Sequence, residues 1–250
     1  MLLLPYIVAA YWGPRQESAE TCAKHVWHLL EAFAKISPVF EDWDVLGTSD
    51  RKYSRVLSEQ QILSEILLRR PRNDQNELVP QLGFTIDLIA TPTGTHRWTE
   101  KVGLHLSCGR YTMPGYSFVP NMCVIELPEV GPAAERLLHL RTLQSINRRL
   151  YSQFSPNYIV TTTRNQQVRY RQIHPLGPEI GWLTLLPIAQ IQLSSLLERF
   201  TVKPIGSKAS LVIATHERFN DENVDHVERI EEIWAALHSH GALLDPGSGS

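Results

Sequence analysis

Three stretches in the middle of the chain decide the fold: Leu82-Gly83-Phe84-Thr85-Ile86-Asp87-Leu88-Ile89, Val102-Gly103-Leu104-His105-Leu106-Ser107-Cys108 and Met122-Cys123-Val124-Ile125-Glu126-Leu127. Each alternates apolar and polar residues with the two-residue period of a half-buried strand. Loops bearing Gly, Pro and Thr join them, and Pro128 closes the third. They therefore predict an antiparallel meander. Helical periods flank the meander on both sides, so the expected class is α+β, a single domain with an antiparallel sheet packed by several helices.

Toward the N-terminus, the apolar run Tyr6 to Trp12 reads as a buried strand. It stops at Gly13-Pro14, where a permissive residue and one of fixed φ force a turn. Trp12 is the aromatic anchor of that turn. Arg15 is either a structural fork bonding nearby carbonyls or an exposed contact. Ser18 to Ile36 predicts a helix with Cys22, Val26, Leu29, Leu30, Phe33 and Ile36 on its apolar stripe, and Pro38 ends it. Phe40 and Trp43, at i and i+3, predict one helical turn tucked under that helix. Ser58 to Arg70 predicts a second helix, with Ile62, Leu63, Ile66 and Leu67 inward.

Toward the C-terminus, Pro132 to Phe154 predicts one long helix. Strands are expected at Tyr158–Thr163, around Gly181–Leu186 and at Ala209–Thr215, and a last helix at Asp225–His240. No repeat or long linker interrupts the pattern, so residues 1–246 read as one domain. Gly247-Ser248-Gly249-Ser250 reads as a linker or cloning scar.

The 250 residues are 43% hydrophobic, ample for a core, and carry a formal net charge of −2. Cys22, Cys108 and Cys123 form no CxxC pair and are odd in number, which fits a reducing compartment and thiols acting as small core residues. The leading apolar residues lack a positive n-region and are broken by Pro5, so they do not read as a signal peptide. No stretch reaches the length of a membrane span. The expectation is a soluble, cytoplasmic protein.

Charge is uneven along the chain. Arg136, Arg141, Arg148, Arg149, Arg164, Arg169 and Arg171 give a span of +7 with no lysine or acid. Between His216 and Glu232, seven acids face only Arg218 and Arg229, a net −5. Such asymmetry marks either a partner surface or solvated faces.

The sequence offers little that is catalytic. It has no P-loop, no dinucleotide fingerprint, no HExxH and no GxSxG. Cys22, His25 and His28 recur every third residue, but each step drifts backwards around the helix and Cys22 belongs to the apolar stripe. His105 and Cys108 point to opposite faces of one strand. Neither a catalytic residue nor a metal or cofactor is expected. The arginine span interleaves Tyr151, Tyr158 and Tyr170, as nucleic-acid binders do, yet the total charge is negative and no recognition motif appears. Six tryptophans (Trp12, Trp27, Trp43, Trp98, Trp182 and Trp234) favour a core plus a protein interface, with Trp98 in the polar loop Thr91–Lys101 expected on the surface.

Several short motifs, taken in order, carry a family resemblance. Tyr11-Trp12-Gly13-Pro14-Arg15 with Glu17-Ser18 resembles the opening of the immunity protein 52 family of bacterial polymorphic toxin systems. Phe40-x-x-Trp43, Ser107-Cys108-Gly109-Arg110-Tyr111, Pro120-Asn121, Glu126-Leu127-Pro128, Gly181-Trp182-Leu183-Thr184 and Glu217-Arg218-Phe219-Asn220 extend it from about Tyr6 to Leu244. The loop from Arg110-Tyr111 through Tyr116 is longer than the family pattern. Trp12, Gly13, Pro14, Arg15, Trp43 and Trp182 are its structural signature. The resemblance implies a cytosolic immunity protein that binds and neutralises a cognate toxin by stoichiometric occlusion or distortion of its active site. It implies a restriction-endonuclease-like nuclease as that toxin, delivered by type VI secretion. It supplies no interface residues.

A nuclease groove built for phosphates would accept carboxylates. Glu217, Asp221, Glu222, Asp225 and Glu228, with Glu41, Asp42 and Asp44, are therefore the expected partner-binding residues. Direct nucleic-acid binding through Arg136–Arg171, or an enzyme of another kind, stays open as the alternative, as does the oligomeric state.

Overall fold

In a computed structural model, described here for residues 6–46, 53–91, 100–111, 120–174 and 178–243, ten strands form one antiparallel sheet. In chain order they are β1 (Tyr6–Trp12), β2 (Trp43–Leu46), β3 (Tyr53–Arg55), β4 (Phe84–Ala90), β5 (Val102–Cys108), β6 (Asn121–Leu127), β7 (Tyr158–Thr163), β8 (Leu183–Leu186), β9 (Thr201–Ile205) and β10 (Ala209–Ile213). Their order across the sheet is β3-β2-β4-β5-β6-β1-β7-β8-β10-β9. The expected meander is β4-β5-β6. The N-terminal strand β1 closes onto β6 and is itself covered by β7, so it is buried along its whole length.

The helices are α1 (Ala19–Ala34), α2 (Glu59–Leu68), α3 (Gly131–Leu137), α4 (Leu140–Phe154), α5 (Arg164–Ile173), α6 (Gln190–Leu196) and α7 (Val224–Ser239). Ser18 caps α1 by accepting from the Thr21 N–H, and Ser58 caps α2 the same way for Gln61. Helices α1, α2 and α4 pack together on one face of the sheet, where Trp12 stacks on Phe154 of α4 with ring centroids 4.6 Å apart. Alternation sends Tyr11 to the other face. There Arg171 of α5 reaches its hydroxyl at 3.2 Å, and α7 docks on α5 through stacked Trp234 and His174. Residues Asp87, His105, Met122, Val124 and Glu126 on this second face of β4–β6 stay half-exposed.

Three expectations need correction. The stretch Pro132–Phe154 is two helices, broken where Leu138 leaves helical geometry and His139 turns extended. Leu137, Leu138 and Leu140 spread too far around an axis to share one face, and the break buries both Leu137 and Leu138. Phe40 closes a 3-10 turn from Pro38, but Trp43 opens β2 instead of extending that turn. Both rings are nevertheless buried and stacked, and the Trp43 indole donates to the Phe40 carbonyl at 2.8 Å. Of the expected α2 face, only Ile62 and Ile66 are fully buried. Helices α5 and α6 and strands β2, β3 and β9 had no counterpart in the expected pattern. Trp98, Tyr116 and residues 247–250 lie outside the described residues.

Candidate functional site: the acidic end of the sheet

The strand registers bring distant segments to a common end. Tyr6 lies opposite both Leu127 and Thr163, Trp43 opposite Ala90, and Leu183 opposite Ile213. Glu41 and Asp42 just before β2, Glu100 before β5, Glu129 after β6 and Glu217 to Glu222 after β10 therefore emerge together. At about 4.8 Å per strand, β2 and β1 are about 19 Å apart. The two expected clusters thus lie on one end but do not touch.

Within this end Arg218 is a fixed cation. Its Nε donates to the Tyr6 hydroxyl at 3.2 Å, its Nη2 to the Glu129 carbonyl at 2.6 Å, and the guanidinium sits 5.1 Å from the Tyr6 ring centroid. The Tyr6 hydroxyl donates in turn to the Phe219 carbonyl. Asp221 is half-buried and accepts from Thr163 Oγ1 at 2.7 Å, so it holds the end of β7 as well as carrying charge. Asp42 pairs with Arg55, and Asp44 is half-buried beside it in β2. Asn223 caps α7 for Asp225. Asp225 and Glu228 line a shallow groove with Arg199, Phe200, Arg229 and Glu232.

Glu41, Glu217, Glu222, Asp225 and Glu228 are exposed, Glu217 with its side chain 83% accessible and 3.6 Å from His226. Glu129, absent from the expected set, belongs here. Burial pushes its carboxyl above the usual range; Arg218 pulls against that shift, and Asp221 and Glu222 add to it. The only sequence signal for Glu129 was its place one residue after Pro128, at the end of a strand.

The arginine span does not form one surface. Arg141, Arg148 and Arg149 line a groove on α4 with Lys35, whereas Arg164 pairs with Glu126 and Arg171 with Glu179. Tyr158 and Tyr170 are buried in the core, so they cannot stack on bases.

The second face of β4 and β5 carries a polar relay. His105 Nδ1 lies 2.7 Å from Asp87 Oδ1, and Ser107 Oγ lies 3.2 Å from His105 Nε2. Its order resembles a hydrolase triad, but Ser107 is fully buried, so its hydroxyl is closed to a substrate. Cys22, His25 and His28 do not converge: Cys22 faces the core, His25 bonds Glu17 at 3.2 Å, and His28 points to solvent.

The Trp-Gly-Pro-Arg turn and the Cys-Gly-Arg-Tyr strand end meet at the opposite end, whereas Trp43 and Trp182 stand at strand starts on the acidic end. The Arg15 backbone N–H donates to the Arg110 carbonyl at 2.8 Å. Its Nη1 donates to the Phe154 carbonyl at 3.3 Å, and its side chain stays 39% exposed. Asn121 accepts from the Arg110 N–H at 2.8 Å and donates to the Gly13 carbonyl at 2.7 Å. Trp12, Trp43 and Trp182 are all core residues. No helix among the described residues is long and apolar enough to cross a membrane.

Comparison with known proteins places the chain. The T6SS protein PA0821 of Pseudomonas aeruginosa has a similar fold, with a TM-score of 0.50 at 9% identity over 92% of this chain and 73% of that one. No curated protein matches significantly. The family model described as immunity protein 52 matches residues 5–246. With that match over nearly its whole length, the chain belongs to the immunity protein 52 family.

Proposed function

We propose that this protein binds a cognate toxin in the cytosol and neutralises it stoichiometrically, with the acidic end of the sheet as the contact face. Membership of the immunity protein 52 family carries the neutralising role. The gathering of Glu41, Glu129, Glu217, Glu222 and Asp225 at one end supports the face. A toxin of the nuclease class suits it: the cationic groove that receives phosphate oxygens would receive carboxylates through the same charge-assisted hydrogen bonds. Long-range attraction would speed capture. No chemistry on the toxin is required, so the protein acts as an inhibitor and not as an enzyme.

Co-expression with the toxin encoded by the neighbouring gene tests this. Rescue of growth and co-purification of a complex are expected. A toxin that kills despite full-level expression of this protein, and leaves no complex, would overturn it.

A further inference from the structure

We infer that Glu17, Cys22 and Cys108 form a zinc site that ties the start of α1 to the end of β5. One carboxylate oxygen of Glu17 and the two sulfurs all lie within 4.8 Å of one another. Tetrahedral zinc with ordinary Zn–S and Zn–O bonds needs ligand separations of about 3.6–3.8 Å. Binding would draw the three ligand atoms together by up to about 1 Å. Thiolate and carboxylate are a donor set zinc accepts, and a thiophilic ion is favoured over calcium or magnesium.

A second observation points into the same space. The Glu17 side chain is only 8% exposed, and its Oε2 is buried without a well-aligned hydrogen bond, although the Gly109 backbone N–H faces the same carboxylate. A buried oxygen so weakly satisfied beside two thiols is costly unless something binds there. The other oxygen, Oε1, is held from behind. Gln153 Nε2 donates to His25 Nδ1 at 2.6 Å, which leaves His25 Nε2–H to donate to Glu17 at 3.2 Å. Such an outer relay fixes the orientation of a ligating carboxylate. Arg15 Nε stands 3.1 Å from the same oxygen.

Local geometry explains how the ligands meet. Gly109 follows Cys108 with φ +73, and a Cβ there would lie 3.1 Å from the Glu17 carbonyl oxygen. The glycine lets β5 approach the segment before α1. Cys123 is the internal contrast: it is fully buried on the neighbouring strand but is not part of the three-ligand group. The site joins the Trp-Gly-Pro-Arg turn to the Cys-Gly-Arg-Tyr strand end, two signature motifs far from the acidic end.

The test uses the full chain, metal-free and reduced with a non-thiol reductant, titrated with Co²⁺ and then with Zn²⁺. Expected are one equivalent bound, a thiolate-to-cobalt charge-transfer band displaced by zinc, and a Tm rise of about 5–10 °C at zinc a hundredfold above its Kd. Cys22→Ser should abolish the band. Glu17→Gln, which keeps shape and removes charge, should weaken binding at least about tenfold, and Cys123→Ser should leave it unchanged. Absence of a charge-transfer band in the folded wild-type chain would overturn the site. So would binding that survives both Cys22→Ser and Glu17→Gln. If Cys22→Ser fails to fold, Glu17→Gln and the wild-type spectrum decide. Toxin rescue is a separate readout, so failure here leaves the immunity function untouched.

Discussion

Asn121→Ala should cost this fold more than most single substitutions. The side chain is fully buried at the first residue of β6. It accepts from the Arg110 N–H at 2.8 Å and donates to the Gly13 carbonyl at 2.7 Å and the Arg110 carbonyl at 3.1 Å. Truncation leaves the Arg110 N–H and the Gly13 carbonyl short of a partner, while the Arg110 carbonyl keeps the Arg15 N–H at 2.8 Å. Each buried, unsatisfied group costs about 1–3 kcal/mol. Arg110 and Gly13 are half-exposed, so water recovers part of that loss. The balance is about 2–4 kcal/mol. For a chain of this length each kcal/mol lowers Tm by about 2–4 °C, so a fall of about 5–15 °C is expected. Denaturant unfolding followed by tryptophan fluorescence measures it directly, because Trp12 is stacked on Phe154 beside the turn that Asn121 holds. The midpoint should fall with the slope unchanged. Asn121→Asp should be worse at neutral pH, since an anion would then face two carbonyls, and should recover partly in acid. A loss below about 1 kcal/mol for Asn121→Ala would refute the view that this amide staples the two loops.

Other outcomes follow from particular contacts. Gly181→Ala would place a Cβ 2.5 Å from the Thr161 carbonyl oxygen and 2.7 Å from Val160 Cγ2. Since β7 is hydrogen-bonded on both sides, the variant should lose about 2–3 kcal/mol in denaturant titration. A hydrogen bond from His105 holds the Asp87 carboxyl below its usual value against the opposing effect of burial, with the His105 and Arg69 charges helping. That stability is present above the unfolded Asp pKa and is lost as pH falls through the lower folded one, so Asp87→Asn should flatten the acid side of a Tm-against-pH curve. Glu217→Lys, Glu222→Lys and Glu228→Lys together reverse exposed charges without touching the buried contacts of Asp221. Association with the toxin should slow about tenfold at low salt and lose its salt dependence, while Tm moves little. An unchanged association rate would remove this end of the sheet as the contact face.

The sequence disclosed the parts of the fold that repeat a simple period. Strands β1, β5 and β7 begin and end where alternation or an unbroken apolar run says they should. Helix α5 escaped because its sequence, Arg-Asn-Gln-Gln-Val-Arg-Tyr-Arg-Gln-Ile, has no apolar stripe; it buries Gln166, Gln167 and Tyr170 and is started by the Thr163 cap. Strands β2 and β3 are too short for a period to show, and they are held by pairing with β4. The break between α3 and α4 has neither Gly nor Pro to announce it.

The acidic segment after β10 was visible as charge. Glu129 was not: it joins the segment because antiparallel pairing returns strand ends from across the chain to one edge, and the same pairing brings the expected Glu41 to that edge. The same pairing shows Asp221 and Asp42 to be partly structural, which charge alone could not. The signature motifs were legible as a family pattern, and their contacts show why. Gly13, Arg15, Arg110 and Asn121 hold one another in place.

The most direct test of the account is a titration of the purified protein into its cognate toxin, with residual toxin activity followed at fixed toxin concentration. Stoichiometric neutralisation predicts a linear fall to a sharp endpoint at one equivalent, with the endpoint independent of incubation time. Complete loss of activity at a small fraction of an equivalent, deepening with time, would show turnover and contradict the inhibitor account. Full activity at excess would contradict binding altogether.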